Sequence, residues 1–293
     1  MSTFKIIVNA IKNTKNIYRS IAGDKIIENV NNNVNSELNK NNWSLLSLLE
    51  LLSDLFLFKL PIRSPSWIPK FLKKLLFGSN SKYLPDNEEV EDNLCFLYVN
   101  GIMSNRDVVL KNQDYLRKLL GKPVNIVHNV TDSFLIDLIE CLIGKETDDL
   151  TEPVLVLLSV VSRKLLDTNV KKLIIICHSQ GTIIVSNMLN KLCKFGFNKE
   201  EYLQKIEIYA FANCASKMIY LSNNMPYIES FANENDIVAR LGCNCSEEIK
   251  KYIKIDGKIF IAKNKSGHML NSHYLDNFKI DYPNSNLNKY ITN

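Results

Sequence analysis

The chain has 293 residues, of which 46% are hydrophobic and 23% charged, the composition of an ordinary soluble globular protein long enough to bury a substantial core. A net charge of +5, spread diffusely, gives no reason to expect a nucleic-acid partner and at most favours an anionic membrane surface. The seven cysteines are scattered singly except for Cys243-Asn244-Cys245, which argues for free thiols in a reducing compartment and against both a disulfide framework and a zinc site.

Residues 1–20 mix polar and apolar positions, without a continuous apolar stretch or a small-residue cleavage site, so no signal peptide is expected. Residues 28–42 are rich in asparagine and read as a linker or loop. The most apolar stretch follows at 43–60, where Ser44, Ser47, Glu50 and Asp54 form a narrow polar stripe at helical spacing. It is shorter than the roughly 20 residues a membrane span requires, so a helix buried in protein or lying at an interface is predicted. Pro61, Pro65 and Pro69 then break the chain before a short basic amphipathic piece at 70–77. Residues 43–77 therefore have three readings: a lid over an apolar site, a peripheral anchor on anionic lipid, or helices that pack on the following domain. The acidic connector 86–92 marks a boundary between a helical N-terminal extension, 1–92, and a catalytic domain, 93–293.

From Leu94 strands and helices alternate, which predicts an α/β fold: a mostly parallel sheet of about six strands with helices on both faces. Strands are expected at 94–99, 124–129, 173–176, 206–211, 227–232 and 258–263. Helices are expected at 106–120, 133–143, 152–166 and 272–279, with Pro153 at a helix start. The apolar run Leu173 to Ile176 stops at Cys177-His178-Ser179-Gln180-Gly181. After it, Ile183, Ile184, Met188, Leu189 and Leu192 recur at helical spacing. Ser179 thus stands at a sharp turn between a buried strand and a helix. Such an elbow exposes a nucleophile and aims first-turn amides at a developing negative charge. The plain alternative is a serine that merely caps the helix.

This stretch resembles the nucleophile elbow of the α/β-hydrolase superfamily, G-x-S-x-G, with Cys177 in place of the first glycine and Gly181 retained. The resemblance covers roughly residues 93–293 and is closest to serine lipases and esterases. It implies an oxyanion hole built from the backbone N–H of Gln180 and that of Ile102 or Met103, with Gly101 permitting close approach after the first strand. The two antiparallel strands that usually open this fold are not evident in residues 1–92. The superfamily order of serine, acid and histidine excludes His128, which precedes the serine, and His178 adjoins it with its side chain expected to point away. His268 and His273 remain as bases, His268 on a loop and His273 at the start of the last helix, with His268 preferred. For the acid, Asp236 precedes Ile237-Val238 in the D-x-V manner of the superfamily. Glu234 lies beside it, and Asp256 reads better as part of an Asp-Gly turn.

The expected activity is that of a serine ester hydrolase acting on lipids or other apolar acyl esters through Ser179, Asp236 and His268, without metal or organic cofactor. A thioesterase, acyltransferase or peptidase could use the same machinery, and a non-catalytic scaffold that binds lipid or protein is the contrasting class. A cytoplasmic location is expected, with peripheral membrane contact assigned to residues 43–77.

Overall fold

The computed structural model describes residues 37, 81–86, 93–101, 106–129, 151–220 and 225–292. The helices expected at 43–60 and 133–143, the basic piece at 70–77, and Ile102 and Met103 lie outside the described residues.

Among the described residues seven strands form the main sheet: β1 (Lys82–Leu84), β2 (Leu94–Val99), β3 (Val124–His128), β4 (Lys172–His178), β5 (Ile206–Phe211), β7 (Tyr227–Asn233) and β9 (Lys258–Ala262). Their order across the sheet is β1-β3-β2-β4-β5-β7-β9, and every neighbouring pair is parallel except β1 with β3. Two short strands, β6 (Lys217–Met218) and β8 (Lys254–Ile255), pair separately. The parallel β-helix-β architecture agrees with the sequence reading, and the antiparallel edge strand is an addition to it. Three residues are too few to carry a periodic signal. Their place is set instead by pairing with β3, and Asp86 just beyond accepts the Val124 N–H at 2.9 Å and meets Arg117 at 3.3 Å. The boundary drawn at 86–92 is thereby corrected: the sheet begins before it.

Alternation along the strands sorts the core into two layers. Leu173, Ile175 and Cys177 of β4 face the side covered by α2 (Glu152–Leu166) and α3 (Gln180–Lys194), where Val154, Leu157, Val161, Val185, Met188 and Leu192 are buried. Ile174 and Ile176 face the opposite side, against Val109 and Leu116 of α1 (Arg106–Leu120) and a C-terminal segment that contributes Leu270, Tyr274 and Phe278. Full burial of each large aliphatic side chain is worth about 1.5–3 kcal/mol, so both faces of β4 hold it in register. The last helix predicted at 272–279 is instead a π-helical turn, Leu270–Leu275, followed by a short helix, Phe278–Asp281, with Asn277 leaving helical geometry between them. At the amino end of the strands Glu207 and Glu229 are buried inside β5 and β7. Glu207 bonds Tyr209, Lys289 and Tyr290, and Glu229 bonds Ser285 and the Asn286 N–H, which fastens the C-terminal tail beneath the sheet.

Candidate active site

Because the strands that precede them are parallel, the turns after β4, β7 and β9 open at one edge of the sheet. Ser179 follows β4, Asp236 follows β7 and His268 follows β9. Residues far apart in sequence are brought together by the topology alone.

Ser179 has φ 56° and ψ −129°, backbone that an L side chain rarely adopts and that costs about 1–3 kcal/mol. Its N–H donates to Phe211 O at 3.0 Å, and its carbonyl receives the N–H and hydroxyl of Thr182 at 2.9 and 2.7 Å, so the turn is held on both sides. Gly181 is required by close approach: a Cβ there would lie 2.4 Å from Val99 O and 2.8 Å from Asn100 O. Gly101 has the same constraint from the other direction, since its Cβ would lie 2.5 Å from that of Ser179. The start of α3 is thus pressed against the end of β2. The N–H of Gln180, in the first turn of α3, has no acceptor within the helix.

Ser179 Oγ lies 3.0 Å from His268 Nε2, and His268 Nδ1 lies 2.9 Å from Asp236 Oδ2. A carboxylate only accepts, so Nδ1 carries the proton and the Nε2 lone pair faces the serine hydroxyl, the tautomer a general base needs. Asp236 is fully buried, and its oxygens also receive the Tyr274 hydroxyl at 2.6 Å and the Val238 N–H at 2.9 Å. Burial acts to raise the Asp236 carboxyl, but the His268 charge and these hydrogen bonds outweigh it and hold it below its ordinary value. For His268, burial acts to lower the midpoint, and the Asp236 charge and hydrogen bond overcome it to raise the midpoint.

The other predicted residues fall outside this relay. His273 Nδ1 accepts the Met269 N–H at 2.9 Å, and its ring lies against Gly267, so it supports the loop that carries His268 without meeting the serine. Glu234 bonds Lys263 and the Asn264 N–H at the surface, and Asp256 accepts the Tyr220 N–H. Asn100 ties the ends of β2 and β3 through Asn129, whose side chain in turn donates to Gln180 Oε1 at 2.6 Å. Among the described residues no group of three or more His, Cys, Asp or Glu could hold a metal ion, and no helix is long and apolar enough to cross a membrane.

His178 sits on the same face of β4 as Ile174 and Ile176, and its ring packs 4.6 Å from that of His268 while its Nε2 lies 2.7 Å from the His268 carbonyl, a contact the sequence reading did not foresee. A carbonyl cannot donate, so Nε2 is protonated and the elbow is tied directly to the loop that carries His268. Burial, followed by the His268 charge, lowers the His178 midpoint to about 3. The unfolded chain takes up this proton near pH 6.5 and the folded chain does not, so stability falls as pH drops below 6.5 and levels off near 3. Unfolding free energies from denaturant titrations should therefore fall by about 2 kcal/mol more in the wild type than in His178→Gln between pH 8 and pH 5. Equal slopes in the two proteins would sink this assignment.

Tyr274 and Asn233 were not legible beforehand. Asn233 donates through Nδ2 to the carbonyls of Gly267 and His273, and its N–H meets the Tyr274 hydroxyl at 3.1 Å. Nothing in the spacing of a tyrosine or an asparagine marks such a contact. Comparison of the chain with protein-family models and with curated protein sequences finds no match to either.

Proposed function

We propose that this chain is a serine ester hydrolase of the α/β-hydrolase type, acting on lipid or other apolar acyl esters. The observation that carries the reading is the continuous relay from Ser179 through His268 to buried Asp236, at 3.0 and 2.9 Å, mounted on a strained elbow. Strain of this kind persists where the surrounding structure over-determines it, and it lifts the hydroxyl clear of the strand. Ser179 Oγ attacks the acyl carbonyl carbon while His268 Nε2 takes its proton, and Asp236 stabilises the imidazolium. The oxyanion meets the N–H of Gln180 and, as the resemblance implies, that of Ile102 or Met103. His268 then returns the proton to the leaving alkoxide, and water, activated by the same imidazole, cleaves the acyl-enzyme.

The apolar substrate class rests on residues 43–77, whose leucine-rich and basic pattern suits a lipid interface. Labelling with a fluorophosphonate probe tests the chemistry: the wild type should be modified at one serine and Ser179→Ala not at all. Labelling that survives Ser179→Ala overturns the reading. Faster turnover of emulsified than of soluble esters is expected for the substrate class, and equal rates would count against it.

A further inference from the structure

We propose that Glu37 is a positioning residue for the candidate base, capping the turn Leu270–Leu275 and thereby holding the segment that joins His268 to Tyr274. The proposal rests on the hydrolase reading of Ser179 and His268. Glu37 comes from the asparagine-rich stretch read as a linker, yet only 3% of its surface is exposed. Its Oε1 accepts the Asn271 N–H at 2.7 Å and its Oε2 the Ser272 hydroxyl at 3.4 Å, across 234 positions of sequence. The turn needs such a partner. It starts after Met269, whose backbone is extended and whose side chain caps nothing, and the first N–H groups of a helical turn have no acceptor of their own.

A buried carboxylate is costly unless it is hydrogen-bonded, so a segment that merely covered this turn would do so at lower cost with an apolar side chain. What lies beneath explains the choice. His268 lies two residues before the turn, and Tyr274 within it donates to Asp236 Oδ2, the oxygen that also receives His268 Nδ1–H. Asn233 holds the carbonyls of Gly267 and His273 from β7, and His178 holds the carbonyl of His268 from β4. Glu37 meets the amide side of the same segment, which these two leave to others. Its charge also reaches Lys111 and Tyr115 of α1, Tyr98 of β2 and His268 itself, favouring the imidazolium. Burial pushes the Glu37 carboxyl above its usual range, against the Asn271 and Ser272 donors.

Three measurements on the full chain test this with Glu37→Ala and Glu37→Gln: the rate of fluorophosphonate acylation, amide exchange at residues 271–272, and the His268 midpoint by NMR. Glutamine keeps an acceptor for the Asn271 N–H, whereas alanine keeps none. Glu37→Ala should acylate about tenfold more slowly and exchange faster at 271–272, with Glu37→Gln recovering most of both. Both variants should lower the His268 midpoint, because a negative charge is removed. Unchanged acylation and exchange in Glu37→Ala overturn the proposal, as does a loss that glutamine fails to recover. If the wild type is not acylated, the hydrolase reading falls, and the His268 midpoint then decides: unchanged in both variants, it overturns the positioning role as well. Should Glu37→Ala fail to fold, the midpoint in Glu37→Gln decides in the same way.

Discussion

His268→Ala is expected to slow acylation of Ser179 by about 10⁴-fold, whereas His273→Ala should slow it by about tenfold or less. The two histidines lie five positions apart on one segment, and sequence order admits both. Their surroundings separate them. His268 presents its Nε2 lone pair to Ser179 Oγ and is backed by Asp236, so its removal leaves the hydroxyl with no acceptor for its proton. His273 accepts a backbone N–H next to His268 and touches no reacting atom, so its loss loosens the loop without removing the base. Rates of covalent labelling in the two variants, with folding checked by circular dichroism, measure this directly. The reverse ranking would assign the base to His273 and dissolve the relay described above.

Asp236→Asn should also lower the acylation rate by about 10⁴-fold, through the tautomer rather than through packing. An amide NH₂ facing His268 Nδ1 can only donate, so the imidazole is driven to place its own proton on Nε2, where it blocks the serine. The same substitution leaves the Tyr274 hydroxyl without its carboxylate acceptor. A pH profile separates this electrostatic loss from simple damage. In the wild type, burial works to lower the His268 midpoint and the Asp236 charge overcomes it, so the midpoint lies above the ordinary 6.5 or so. Activity needs the neutral imidazole and should rise with pH through that raised midpoint. In Asp236→Asn the attraction is gone while the burial remains, so the residual activity should rise at lower pH than in the wild type. An acid limb that stays in place in the variant would show that another group sets it.

The physical basis of legibility differs from element to element. Strands β2 and β4 are buried on both faces, so their apolar character is written almost continuously into the chain, and the helices that follow them, α1 and α3, carry period-3.6 patterns. The elbow is legible because its signal is local, a buried strand that stops at a sharply turning serine before a helix, although the reason for Gly181, close approach to Val99 O, comes from β2. The positions of Ser179, Asp236 and His268 follow from strand order in a parallel sheet, which fixes the edge at which their loops emerge. Sequence by itself thus determined the α/β architecture, the strand-turn-helix setting of Ser179 and a short set of candidate partners.

Tertiary structure decided the rest, because those choices depend on contacts between segments whose separation in sequence carries no signal. Whether His268 or His273 meets the serine is settled by the path of a few residues after β9. His178 shares the face of Ile174 and Ile176 and so meets the loop of His268 folded over it, a contact that its place beside the serine in sequence does not announce. The edge strand β1 has only three residues and acquires its identity from β3. Tyr274 and Glu37 reach their partners across 38 and 234 positions. A hydrogen-bond donor or acceptor becomes specific to a role when burial removes water as the alternative partner, and burial is a property of the folded chain.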